Sequence, residues 1–537
     1  MKQLILFILF ILCLQSLIYS QGTWTLVGSL PNPNPPVNTI SVVNANIIWA
    51  ACETVSNVPY CFRTTNGGVT WELKNSGLPI VSMYGICGLD ENNCWIGTQD
   101  GKIYRTTNGG LTWSQQISIA GSFINGIKMF NSNYGVFIGD PTATGQQYQL
   151  RVTYNGGVNW LLSLNSPVAT NEFALINSWD CIDTNIFLFG SANNIAGSST
   201  AKSYRTTNGF NGNWSFETIT GTATSGQGFY IQSIALQDAL NGLAGTNAED
   251  IRKTSDGGFS WTVKTGFPGK RCVTMNSLKD GSNYIRVSVY QTATPHTSIY
   301  QTTNLGTNWS QETLPSQAST NVIQTIQFLY PNLGFAGLGG SSFAGGTTGG
   351  IMKYFGPPPS PTLLSPANGT NGGSLTPTLD WSDVPTTISY NLQVSLSPSF
   401  STTVINLSGL TSSQYTVPSG TFSLKTIYYW RVSGTNTAGP GNWSTYWNFR
   451  TLLTNVNQIS GNIPKEYSLF LNYPNPFNPA TKIRYELPKN GFVNLVIFDA
   501  LGRVLETLVN ENQSPGTFEV TFDGSKYSSG VYYYRLH

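Results

Sequence analysis

TTNGGVTW (64–71) and TTNGGLTW (106–113) differ at one position, and four further stretches are versions of them. These read TYNGGVNW (153–160), TTNGFNGNW (206–214), TSDGGFSW (254–261) and TTNLGTNW (302–309). Their tryptophans, Trp71, Trp113, Trp160, Trp214, Trp261 and Trp309, lie 42 to 54 residues apart. A period of this size is the mark of stacked repeats. One such unit cannot bury its apolar face alone and must lie against its neighbours.

The chemistry of one unit is local. Asn66, or Asp256 in the fifth copy, can bond the backbone that follows it in an Asx-turn. Gly68 and Gly110 can adopt a left-handed conformation with no Cβ penalty. Thr64 and Thr70 offer hydroxyls to the same turn. The tryptophan then opens the next strand and buries a large ring. The six stretches resemble the Asp-box, or bacterial neuraminidase repeat, with Asn for Asp in five of the six copies. That resemblance implies a β-propeller like those of sialidases, sortilin-type receptors and photosystem II assembly factors. It implies a fold and little about activity, because the box is a structural turn.

The rest of each unit supplies strands. The second unit reads MYGICGL, CWIGT, GKIYRT, the box, then TWSQQ, a four-strand blade. After Trp309 come NVIQTIQFL (321–329), LGFAGLG (333–339) and GIMKYF (350–355), with no seventh box. TWTLVG (23–28) stands alone before the first blade, and its Trp24 precedes Trp71 by 47 residues. It is expected to complete the last blade and close a ring of seven, which hides the edges an open stack would expose.

Beyond Phe355 the composition changes. GPPPSPTLLSP (356–366) is a proline-rich, semi-rigid spacer. In residues 361–452, YNLQVSLS (390–397) and YYWRVSG (428–434) alternate as half-buried strands do. With Trp381 as core tryptophan and Tyr428 near the start of the sixth strand, this segment resembles a fibronectin type III domain. The resemblance implies a spacer. A polar stretch, LLTNVNQISGNIPKE (452–466), reads as a linker. NYPNPFNP, IFDALGR, TLVN and SSGVYYYRL then resemble the C-terminal sorting domain of the type IX secretion system, over residues 467–537. That resemblance implies the type IX machinery as a partner, and a further turn and strand past His537. The expected fold is all-β: a seven-bladed propeller (22–355) followed by two β-sandwich domains (361–452 and 467–537).

Residues 1–20, MKQLILFILFILCLQSLIYS, carry one lysine, an apolar run and a small residue at the end, the pattern of a secretory signal peptide. No other stretch is long and apolar enough for a membrane helix. Export permits disulfides. Cys52 and Cys61 flank one short loop and Cys87 and Cys94 another, so both pairs are expected to close hairpins. Cys181 and Cys272 have no local partner and read as buried apolar residues. There is no CxxC, no phosphate loop and no dinucleotide fingerprint, so no metal or cofactor is expected. Charged residues make up 10% of the chain and its net charge is +2, with no basic run for nucleic acid.

Two functions fit this outline. A sialidase would need three arginines on one carboxylate. Arg63, Arg105 and Arg205 stand just before their boxes, with Gln301 in the sixth place, and Arg151 and Arg252 stand two residues before theirs; recurrence on the same strand of each unit is what a structural position looks like. Another glycosidase would need two carboxylates in one cleft. Asp100, Asp140, Glu249 and Asp250 fall near second-to-third strand turns, opposite the boxes. His296 and His537 are the only histidines, so a Ser–His–Asp triad is not expected. Binding is the favoured function. The loops at 138–149, 190–202 and 339–350 are rich in Gly, Ser, Thr and Asn, which suits a glycan or protein ligand. The expectation is a secreted or cell-surface binding or adhesion protein without catalytic residues. A secreted glycoside hydrolase is the alternative.

Overall fold

The computed structural model describes residues 22–537 apart from 194, 223–227, 265, 340–348 and 452–455. The expected signal peptide and most of the 339–350 loop lie outside the described residues. The described residues divide into two units, 22–356 and 357–537.

Strand pairing in the first unit is antiparallel and, apart from that of Thr23–Leu26, between strands adjacent in the chain. Seven four-stranded sheets follow one another. In the first, Val37–Val42, Ile48–Cys52, Cys61–Thr64 and Glu72–Leu73 pair in chain order. In the seventh, Val322–Tyr330, Leu333–Gly339 and Gly350–Phe355 are joined by Thr23–Leu26, with Trp24 opposite Tyr354. The first strand of each sheet neighbours the first strand of the next, and that of the seventh neighbours that of the first. The core is divided between the sheets. Ile48, Ala50 and Phe62 pack toward the seventh sheet, while Trp49, Ala51 and Cys61 pack toward the second.

The turn between third and fourth strands repeats its hydrogen bonds. Gly68 N donates to Thr64 Oγ1 at 3.0 Å, and Thr70 N donates to Asn66 Oδ1 at 2.9 Å. Gly110, Gly157, Gly258 and Gly306 donate in the same way to Thr106, Thr153, Thr254 and Thr302. Gly68 has φ +93°, a conformation that a side chain would strain.

The local disulfides are not formed, and register explains why. Cys61 stands opposite Ala51, and Cys94 stands opposite Gly88. Cys52 and Cys87 are each one residue away from those partners, and successive residues of a strand point to opposite faces. Cys52 therefore lies in one core cluster and Cys61 in the next, and Cys87 and Cys94 are separated likewise. All six described cysteines are buried free thiols.

In the second unit, residues 363–451 form a three-stranded sheet and a larger sheet around Trp381, Tyr390, Trp430 and Phe449. The Tyr428 hydroxyl accepts from Ser423 N at 2.8 Å. Residues 456–536 form a four-stranded and a three-stranded sheet over Ile483, Tyr485, Leu495, Phe518 and Val520. Val456–Ser460, inside the stretch read as a linker, is an outer strand of that four-stranded sheet and pairs with Thr517–Val520. Among the described residues no helix is long and apolar enough to cross a membrane.

Candidate functional site

Six of the seven first strands carry a one-residue bulge near their start. The extra residues are Asn38, Tyr84, Asn125, Gln232, Val273 and Gln324. A bulge re-aims a side chain and ends regular pairing. Here the bulges ring the centre of the seven sheets. Tyr84, Asn125, Gln232 and Gln324 line one cavity of about 620 Å³.

The fourth sheet departs from this pattern. Its first strand, Glu172–Cys181, steps from Ala174 opposite Ser191 to Trp179 opposite Phe189. Residues 175–178 thus loop out as a larger bulge. Leu175 and Ile176 line the cavity. Asn177 Nδ2 donates to Val273 O at 3.2 Å and Gln324 O at 2.9 Å, the bulges of the sixth and seventh sheets. The segment therefore spans the ring and forms one wall of a cup. The remaining walls include Phe123, whose ring centroid lies 4.9 Å from that of Tyr84, with Phe173, Asn193 and Tyr230. The cup opens where second strands end and first strands begin, away from the boxes.

Among the described residues one carboxylate lines the cup. Asp140 Oδ1 accepts from Asn125 Nδ2 at 2.8 Å and from Ala174 N at 2.9 Å. Burial pushes its pKa up to about 6, and these two hydrogen bonds oppose the rise. Asp100 and Glu172 border a neighbouring groove with Asp140. Asp100 pairs with Lys102, and Glu172 pairs with Lys202 at 2.8 Å and accepts from the Tyr204 hydroxyl at 2.8 Å. Glu249 and Asp250 do not reach the cup. Glu249 accepts from Gly269 N, and Asp250 pairs with Arg252 at 2.9 Å. Among the described residues no group of three His, Cys, Asp or Glu side chains is placed to hold a metal ion.

The recurrent arginines serve the sheets. Arg63 donates to Glu91 O, Arg105 to Gly156 O and Arg205 to Asp256 O, each in the following sheet. Arg151 donates to Gln149 and Trp160 O within its own sheet. Arg252 turns to Asp250 and Thr220 O. None lines the cup. Of the loops expected to bind, 138–149 contributes Asp140 and 190–202 contributes Ala192, Asn193 and Ala196. The bulge residues were not legible as a site. The one trace was the 54-residue interval from Trp160 to Trp214, the longest of the series.

Residues 472–537 match the family described as Secretion system C-terminal sorting domain. This is a type IX sorting tail, which implies interaction with that machinery and export to the cell surface or beyond. No curated protein matches the chain. Among solved structures, YCF48 bound to D1 peptide aligns at 14% identity and TM-score 0.45, covering 63% of this chain and 98% of that one. YCF48 from Cyanidioschyzon merolae aligns at 16% identity and TM-score 0.45, covering 62% and 98%. The GH74 xyloglucanase from Xanthomonas campestris aligns at 9% identity and TM-score 0.43, covering 87% and 79%.

Proposed function

We propose that residues 22–355 are a seven-bladed Asp-box propeller that binds a neutral glycan or protein segment in its central cup, outside the cell. A signal peptide delivers the chain to the periplasm, and the sorting tail passes it to the type IX machinery. The fibronectin type III-like sandwich at 361–452 acts as a spacer. The observation that carries the binding role is the ring of bulges. Stacked repeats need their structural residues at equal positions, but the six bulge positions hold one Tyr, two Asn, two Gln and one Val rather than one fixed residue, and Tyr84, Asn125, Gln232 and Gln324 among them line the cup. Aromatic faces with a few fixed amides are the make-up of a ligand pocket. A screen of glycans and extracellular proteins against the chain tests this reading. Tyr84→Ala and Gln324→Ala should each weaken capture about tenfold, the loss of one good contact. Unchanged capture by both variants would refute it.

A glycoside hydrolase is the second reading, favoured by the raised pKa of Asp140 beside a groove that also holds Asp100 and Glu172. It needs a second free carboxylate. Asp100 and Glu172 are each engaged by a lysine, so binding is preferred. Release of reducing sugar that vanishes in Asp140→Asn would reverse that preference.

A further inference from the structure

A second cleft lies on the box side of the ring, where two departures from the repeat meet. The second residue of the box is Thr or Ser in five copies and Tyr154 in the third. The fourth box alone carries an extra residue, reading TTNGFNGNW. Tyr154 and the lengthened turn line one open cleft of about 470 Å³, with Tyr134, Asn185, Asn208, Phe210 and Asn211. We infer that this cleft binds a neutral saccharide, stacked on Tyr154 and hydrogen-bonded by the surrounding amides.

The platform is built and held. Tyr154 is 58% exposed, a large ring left open to solvent. Its hydroxyl accepts from Asn211 Nδ2 at 3.1 Å, which fixes its direction. Its ring lies 5.5 Å from Tyr134, which stacks on Phe130 at 5.5 Å, and Phe130 meets Phe187 edge-on at 6.1 Å. Phe187 in turn packs on buried Phe210 at 4.9 Å. An aromatic series thus runs from the core to the exposed ring, so little side-chain freedom remains to be lost on binding.

The extra-residue turn is held as well. Asn165 Nδ2 donates to Asn211 O and Asn213 Oδ1, and Ser163 Oγ donates to Phe210 O at 2.7 Å. Among the described residues no charged side chain lines the cleft. A rigid ring face suits the apolar C–H face of a sugar ring, and the flanking amides suit its hydroxyls. An uncharged lining gives an acidic or basic ligand no partner, and the open shape suits a chain that continues past the site. This site is separate from the central cup and stands or falls without it.

The test is calorimetric titration of the full chain with neutral hexasaccharides of glucose, mannose, galactose and xylose. At least one should bind, and Tyr154→Ala should weaken it about tenfold or more. Tyr154→Phe, which keeps the ring, should retain binding within about threefold. Tyr84→Ala, in the cup, should leave it unchanged, and equal melting temperatures guard against misfolding. The inference is overturned if no hexasaccharide binds, or if Tyr154→Ala binds as well as the parent. Binding lost in Tyr84→Ala but kept in Tyr154→Ala would overturn it while supporting the cup.

Discussion

Trp24 Nε1 donates to Glu312 Oε2 at 2.6 Å, joining the first strand of the ring to the end of its sixth sheet, 288 residues on. Glu312 Oε1 accepts from Arg286 Nε at 2.9 Å, and both side chains of that ion pair are buried. The Arg286 guanidinium also lies 3.7 Å from the Phe328 ring centroid and 4.8 Å from that of Tyr354, on the strand that Trp24 faces. One buried cluster therefore ties the closing strand to two sheets.

Removing Glu312 leaves Arg286 charged and unpaired in the core. Glu312→Ala should cost about 3–5 kcal/mol, the range for breaking a buried pair from one side. Glu312→Gln, which keeps an acceptor, should cost less. Unfolding midpoints of the two variants check this order. Deleting residues 22–28 should do more, since it unpairs Gly350–Phe355 along its outer edge and invites association. A deletion variant that stays monomeric with an unchanged midpoint would contradict the closing role.

The cysteine geometry makes a chemical prediction. Burial raises the pKa of Cys52, Cys61, Cys87 and Cys94, which holds them as unreactive thiols. Alkylation of the native chain without reductant should leave them unmodified. Alkylation in denaturant, again without reductant, should modify all four. Mass spectra that show 52–61 or 87–94 linked would mean that the one-residue offset does not keep these thiols apart.

What the sequence made legible was what repeats. Six box turns fix the third and fourth strands of six sheets, and Trp24, a lone tryptophan at the right interval, finds its partner in Tyr354. The sorting tail was legible from its own motif. The cup was not, because a bulge depends on which residue stands opposite, and Asn125 or Gln232 reads as an ordinary polar residue until the register is known. Val456–Ser460 was missed for another reason. A largely exposed outer strand needs no alternating apolar face, so its composition matches that of a linker.

That strand sets the boundary of the sorting tail. A signal-bearing reporter fused to residues 456–537 keeps the pairing of Val456–Ser460 with Thr517–Val520, and one fused to 467–537 loses it. In a host with a working type IX system the longer fusion should be exported. The shorter should melt at a lower temperature and be exported less. Equal melting and export of the two would make the outer strand dispensable, and periplasmic retention of both would argue against these residues sufficing as an address.

Asp140 gives the cup a pH dependence whose sign is fixed. Its pKa is about 6 in the folded chain against an ordinary 3.8. Between these values the folded state holds a proton that the unfolded state has released. Stability from this group is therefore fully present below pH 4, falls as pH rises toward 6, and stays low above it. The difference amounts to roughly 3 kcal/mol at most. Asp140→Asn keeps an oxygen for Asn125 Nδ2 and Ala174 N, both of which bond Oδ1, and it cannot ionise. The variant should match the parent near pH 4 and exceed it near pH 7, as read from urea unfolding midpoints. Comparing the two chains at each pH cancels the other titrating groups. Because Ala174 opens the bulge that walls the cup, ligand capture should also differ between parent and variant above pH 6 more than below pH 4. Parallel stability curves across this range would show that Asp140 ionises at no cost and that the cup is open to water there.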